Sequence, residues 1–204
     1  ATRLVRVDLS TGTVEVLLED AAYDVAGVTL HPESRDPQIA TIERDRADVI
    51  VLDSAIAGDI EALRAADDGD LHIASRDHAD ACWVVAYQHD AAPIRYFLYE
   101  RDTKRTTFLF ADQPALPDFT LAPAEPCAFT TSDGVAVHGY ATFPPGAGRE
   151  GLPTVLHVHG GPWGARHSWG YEPTRQWLAN RGFLCLEINY RGSGGYGKAF
   201  LNAS

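Results

Sequence analysis

Residues 153–173, PTVLHVHGGPWGARHSWGYEP, decide how the chain reads. TVLHVHG (154–160) is a nearly unbroken apolar run, the texture of a strand in a parallel sheet with both faces covered. It enters Gly160-Gly161 directly, with His159 before the pair and Pro162 after it. Beyond the turn, EPTRQWLANRG (172–182) predicts a helix. Pro173 suits its first turn, where a missing N–H costs nothing, and Gly182 sits where a left-handed C-terminal cap is wanted. FLCLEIN (183–189) returns as a second buried strand and YRGSGGYG (190–197) leaves it. Strand, helix and strand joined by short links predict a right-handed crossover in an α/β sheet.

Working outward, CAFTTSDGVAVHGYATFPPG (127–146) predicts a hairpin around Ser132-Asp133-Gly134, linked to the crossover by a Gly-rich segment ending at Gly151. Pro114, Pro117, Pro123 and Pro126 punctuate the segment before it and mark a domain boundary near 120/121. The texture upstream is different. Short runs of Val, Ile, Thr, Tyr and Phe alternate with Asp, Gly, Ser and Pro, as in antiparallel strands and turns. RLVRVDLSTGTVEVLLED (3–20) and RYFLYERDTKRTTFLFAD (95–112) read as hairpins, the second turning at Asp102, Thr103 and Lys104. Their starts are about two periods of the ~40–50 residues of a propeller blade apart. PQIATIERDRADVIVLD (37–53) and DLHIASRDHADACWVVAYQHD (70–90) supply further strand pairs. Residues 1–120 are therefore expected to form a partial β-propeller of about two to three antiparallel blades. SAIAGDIEALRAADDGD (54–70) interrupts them with a short helix or decorated loop. The run Asp67, Asp68, Asp70 is expected to be a solvated turn rather than a calcium site, which needs six to eight ordered oxygens.

Composition limits the function classes. The 204 residues are 45% hydrophobic and 22% charged, enough for one large domain or parts of two. A net charge of −11 with 17 Lys and Arg repels phosphate backbones and argues against nucleic acid. Cys82, Cys127 and Cys185 are odd in number and far apart, so they read as reduced core thiols rather than a disulfide framework. No apolar run approaches the ~20 residues of a membrane span, and the first residues do not have the basic-then-apolar pattern of a leader. A cytoplasmic setting, no membrane, no cofactor and no metal are the expectations; the oligomeric state is left open.

The glycine pair falls at the carboxyl end of a predicted sheet strand, where ligands of such sheets sit. Glycines let a turn present its N–H groups outward with no Cβ in the way. Such donors suit the negative oxygen that develops when an acyl group is attacked, where one donor is worth about 3–4 kcal/mol. A plain tight turn is the competing reading of the three residues alone. The strand before the turn, the helix after it and the Gly-rich exit from the next strand favour the anion site. His157, His159 and His167 lie near one another and could suggest zinc, but strand-end packing and turn hydrogen bonds are the expectation because no further ligand is placed to close a site. Trp163, Trp169, Tyr171 and Trp177 line a pocket or pack the crossover; Trp163 fits either role, and Trp177 is expected in the core. Cys185, in mid-strand, is expected in the core and not as a nucleophile.

The segment from His159 to Ser204 resembles the early hydrolase part of prolyl oligopeptidase family serine peptidases, specifically the acylaminoacyl-peptidase and dipeptidyl-peptidase-like branch. The strong part covers residues 153–204; residues 1–120 resemble the family's propeller in texture and period only. The resemblance implies that residues 121–204 are the N-terminal part of an α/β-hydrolase domain. It implies a serine peptidase acting on short peptides or amino-terminally blocked residues, under a propeller lid that limits substrate size. Gly161 matches the position whose backbone N–H contributes to the oxyanion hole, with Gly160 forming the turn. His159 stands where other branches carry a tyrosine donor, which shifts the burden to the backbone, so that replacing His159 by Ala would leave the donor in place. Arg191, Gly192, Ser193 and Gly194 match the turn after the following strand. Trp163, His159, Arg191 and Ser193 are thereby candidates for contact with substrate.

A nucleophile elbow needs glycine two residues before and two after the serine. Ser193 has Gly195 but Arg191, Ser168 has Gly170 but Arg166, Ser132 has Gly134 but Thr130, and Ser10 has Gly12 but Asp8; the remaining serines lack the following glycine. The Ser-His-Asp triad is therefore expected outside this chain. The chain is expected to be a fragment that is inactive alone, its partners being a short peptide and the remainder of the propeller and hydrolase. Two alternatives stand beside this reading: a non-catalytic propeller-type interaction module, and an esterase on the same fold.

Overall fold

The computed structural model describes residues 1–161 and 163–204. Pro162, which the sequence places at the end of the glycine turn, lies outside the described residues. Alternating apolar and polar residues close a first hairpin, β1 (Leu4–Val7) with β2 (Val14–Leu18). A three-stranded antiparallel sheet follows, built from β3 (Val25–Leu30), β4 (Pro37–Glu43) and β5 (Ala47–Val51). Residues 54–70 do contain a helix, α1 (Ala57–Ala66). Then comes a four-stranded antiparallel meander: β6 (Asp70–Arg76), β7 (Cys82–Gln88), β8 (Arg95–Glu100) and β9 (Arg105–Ala111), in that spatial order. Its last hairpin turns at the predicted residues, with Lys104 at φ 55°.

The core of this half lies between the three-stranded sheet, the meander and α1. Trp83, Val85 and Tyr87 alternate inward along β7 and meet Tyr99, Ile39, Val49, Ile56, Ile60 and Leu63. The polar tips are satisfied: Tyr87 Oη donates to the Leu63 carbonyl (2.8 Å) and Trp83 Nε1 to Asp80 (2.7 Å). Asp67 and Asp70 are not the solvated turn that their spacing suggests. Asp67 is paired with His89 and Arg95, and Asp70 with Arg46, both carboxylates being nearly buried; only Asp68 faces water. Arg46 from the β4–β5 turn and Arg95 of β8, invisible to a local reading, pair with the two nearly buried carboxylates.

The second half is one mixed sheet, in spatial order β10 (Ala124–Thr130), β11 (Ala136–Thr142), β13 (Leu184–Asn189), β12 (Thr154–Val158). The predicted hairpin is β10–β11, and β12 and β13 run parallel, joined through α2 (Pro173–Ala179). Pro173 opens α2, Glu172 caps it by accepting from the Arg175 N–H, and Gly182 takes φ 86° beyond its end. A short helix, α3 (Gly197–Leu201), follows β13.

Two expectations are corrected here. β12 is not covered on both faces: Leu156 and Val158, on the face opposite His157 and Glu187, are about half exposed, and β12 is also the edge of the sheet among the described residues. Trp177 is not core: the inner face of α2 is taken by Arg175, Gln176, Leu178 and Ala179, so Trp177 turns outward beneath the Arg181 guanidinium. Cys185 is buried, and burial pushes its thiol up to about 12.

Side chains lock the two halves together. Arg166 donates to the carbonyls of Glu43 and Arg44, each at 3.0 Å, and Tyr140 Oη donates to the Asp45 carbonyl (2.8 Å). Gln88 Nε2 donates to the Trp169 carbonyl (2.8 Å). Gln176 accepts from the Ala122 N–H and donates to the Ala122 and Asp90 carbonyls.

Candidate functional site

Parallel pairing aligns Val158 with Ile188, so the segments leaving β12 and β13 emerge side by side. They knit together through the backbone: Gly164 N–H donates to the Gly192 carbonyl (3.0 Å) and Gly194 N–H to the Ala165 carbonyl (3.2 Å). Gly160 and Gly161 stand exposed on this rim. Among the described residues the Gly161 N–H meets no acceptor. A Cβ on Gly161 would come within 2.7 Å of the Tyr190 hydroxyl, so a side chain there displaces Tyr190.

His159 is held on several sides. Its ring stacks on Tyr190, with centroids 4.4 Å apart and planes 17° from parallel, and meets His167 edge-on at 5.1 Å. Its Nδ1 lies 2.6 Å from the Gly160 carbonyl and its Nε2 lies 2.8 Å from Ser193 Oγ. Tyr190 Oη donates to the His159 carbonyl (3.2 Å) and more distantly to that of Gly160 (3.4 Å).

A serine hydroxyl 2.8 Å from an imidazole nitrogen has the distance of a nucleophile and its base. Here the serine has no exposed surface, and no acid faces the other nitrogen of the ring, which lies on a carbonyl. The pair therefore supports the turn. The remaining predicted residues stand apart from it. Arg191 pairs with Asp133 at the surface. Trp163 is exposed and donates from Nε1 to Ser204 Oγ (2.7 Å).

Beneath the rim lies a buried polar network that sequence reasoning missed. Glu187, without exposed surface, accepts from Arg175 Nε (2.7 Å) and pairs with His157 Nδ1 (3.0 Å), with His167 Nδ1 at 3.4 Å. Arg175 also donates to the Gly170 carbonyl (2.8 Å). Asn189 exchanges hydrogen bonds with the backbone of His167, at 2.7 and 3.0 Å. Burial lowers the pKa of His167, an effect that Glu187 partly offsets. The donors of His157, His167 and Glu187 lie within 4.8 Å of one another, as metal ligands would. The Arg175 guanidinium already neutralises the carboxylate, so the cluster has the chemistry of a closed ion-pair network. One signal was available: a Glu inside FLCLEIN is a buried charge that demands a partner.

Residues 169–204 match the sequence profile described as the prolyl oligopeptidase family. Nearly the whole chain, 98%, aligns at 38% identity with dipeptidyl aminopeptidase BIII of Pseudoxanthomonas mexicana, of which it covers 30%. It is 27% identical over 93% of its length to dipeptidyl peptidase family member 6 of Caenorhabditis elegans, covering 28% of that protein. Among solved structures, Porphyromonas gingivalis dipeptidyl peptidase 4 superposes with a TM-score of 0.69 at 14% identity, over 98% of this chain and 29% of that one. Pyrococcus horikoshii acylaminoacyl peptidase gives 0.61 at 19% identity, over 93% and 29%. These two likenesses concern the fold. The chain thus spans just under a third of the proteins it matches, and its sequence is similar to that of peptidases of the prolyl oligopeptidase family.

Proposed function

We propose that this chain is the part of a serine-type peptidase that supplies the oxyanion-hole turn and a section of the propeller lid. Residues 1–120 form about two to three blades of that lid, and residues 121–204 the N-terminal part of an α/β-hydrolase domain. The four-stranded meander β6–β9 has the form of one blade, although no closed ring of blades is formed among the described residues. The substrate is a short peptide or an amino-terminally blocked residue, cleaved by acyl transfer through a Ser-His-Asp triad outside this chain. Dipeptidyl peptidases among the relatives support the short-peptide class.

The observation that carries this reading is the exposed Gly160–Gly161 peptide at the carboxyl end of β12, its Gly161 N–H unspent among the described residues. A backbone donor fixed before the reaction costs no reorganisation when charge develops on the attacked carbonyl. The test is active-site labelling with a fluorophosphonate. The protein that carries this chain together with an elbow serine is expected to label at that serine and to cleave dipeptidyl or acylated p-nitroanilides. The 204-residue chain is expected to do neither. Stoichiometric labelling of Ser193 or Ser168 would overturn the reading.

A further inference from the structure

The turn between β4 and β5 presents three successive carbonyls, those of Glu43, Arg44 and Asp45, to side chains of the second half: Arg166 takes the first two and Tyr140 the third. Arg46 of the same turn lies over the Trp169 ring, 3.9 Å from its centroid. Arg166, nearly buried, reaches both the turn and the rim. It follows Gly164 and Ala165, whose N–H and carbonyl make the two backbone bonds that knit the segments leaving β12 and β13. Its Nε donates to the His167 carbonyl (3.3 Å) and its Nη2 also to Tyr196 Oη (3.0 Å), with the guanidinium 4.6 Å from the centre of the Tyr196 ring. A Cβ on Gly195 would run into Nη1, so the 190–197 segment is moulded on this side chain. The first half holds that segment at a second point: the Asp24 N–H donates to the Gly195 carbonyl and the Asp24 carboxylate accepts from the Gly197 N–H, each at 2.9 Å.

We propose that the β4–β5 turn is a template for the rim, and that Arg166 is the positioning residue that registers the segments leaving β12 and β13 against it. The inference rests on the oxyanion reading of the glycine turn and gives the first half a task that a lid does not have. A planar guanidinium can fork onto two neighbouring carbonyls and still reach Tyr196; an ammonium, a point charge, cannot. With the Glu43 carboxylate at 3.8 Å and carbonyls nearer, what this buried cation contributes is geometry rather than an ion pair. A lid acts on size, so loosening it admits longer peptides and leaves turnover of the smallest substrate as it was. A template acts on the donor, so loosening it lowers kcat on every substrate, the smallest included.

The test measures kcat and KM for a dipeptidyl p-nitroanilide in the catalytically competent protein that carries this chain. Arg166→Lys keeps the charge and loses the fork. A shortened turn, with Arg44-Asp45-Arg46 replaced by Asn-Gly, closes the hairpin tightly and withdraws the carbonyls without changing any residue of the second half. Each is expected to lower kcat about 10-fold with KM within about twofold. Combined, they should fall no more than about twofold below either alone, because they break one contact. Tyr140→Phe frees the Asp45 carbonyl without touching the rim and should keep kcat within about twofold. Thermal melts check that each variant is folded, and the shortened turn keeps the test open if Arg166→Lys fails to fold.

Unchanged kcat in the folded variants, or losses that multiply when the two are combined, would overturn the template. So would an equal loss in Tyr140→Phe, which would mark a general loosening between the halves. Gly161→Pro separates the two failures. If it lowers kcat while Arg166→Lys and the shortened turn do not, the oxyanion reading stands and the template is wrong. If it too leaves kcat intact, the oxyanion reading falls and the template's catalytic role falls with it.

Discussion

The two four-stranded sheets of this chain bury different things. In the meander β6–β9, the inward side chains are large and apolar, and they close a core with α1 and the three-stranded sheet. The one buried carboxylate on α1, Asp59, is met by Lys104, Arg101 and Tyr99. Burial alone would raise its pKa, but these partners outweigh it and hold it below the ordinary value. In the mixed sheet, the face under α2 buries Glu187, Arg175, Asn189 and His167, while the other face leaves Leu156, Val158 and Phe129 about half exposed. The meander invests in cohesion. The mixed sheet invests in direction, because each buried polar group there fixes the segment 157–170 or 189–196 that carries the rim. A buried network is a poor source of net stability but a strong constraint on geometry.

The contrast is broken or sharpened first by charge. Arg175→Met strands Glu187 without its cation and should cost about 3–5 kcal/mol in urea unfolding. Arg175→Met with Glu187→Gln should recover a large part of that loss. If the double variant is no better than the single one, the network stabilises more than it directs. In the meander, Leu63→Ala opens a cavity in a core without exposed surface and should cost about 2–5 kcal/mol, with no rescue by any polar change.

The elements were legible in the sequence wherever their signals were local. The β12–turn–α2–β13 unit, the Gly182 cap and the three predicted hairpins follow from residues a few positions apart. β3 was not legible because VAGVTL carries Gly27 in mid-run, and its pairing with β4 decides its conformation. Trp177 misled because helix spacing alone does not say which face meets the sheet. Of the site, the glycine turn was readable and its supports were not. Tyr190 and Ser193 reach His159 only because parallel pairing lays two distant strand ends side by side, a register that no short window contains.

Smaller effects test the same contrast. The folded-state pKa of His167 is lowered, so the unfolded chain, with an ordinary value of 6.5, binds the proton more readily than the native one. Stability from this group is full above about pH 6.5 and falls as pH drops towards the lowered folded value, since the unfolded state then binds more protons. Melting curves between pH 7.5 and 5.5 should therefore fall less steeply for His167→Asn than for the wild type. An identical slope would mean that the ring is not held neutral. Smallest of all, Leu156→Thr on the open face should change unfolding by no more than about 0.5 kcal/mol in the 204-residue chain. A cost of several times that would show the face to be covered.

The central claim is that the Gly161 N–H is a working donor, and one comparison addresses it. In a Tyr190→Phe background, where the hydroxyl that would meet a new Cβ is gone, Gly161→Ala keeps the N–H and Gly161→Pro removes it. With both variants checked for folding by thermal melts, Gly161→Pro should show kcat about 10²- to 10³-fold below Gly161→Ala, with a much smaller change in KM. Equal kcat for two folded variants would mean that the glycine pair is only a turn.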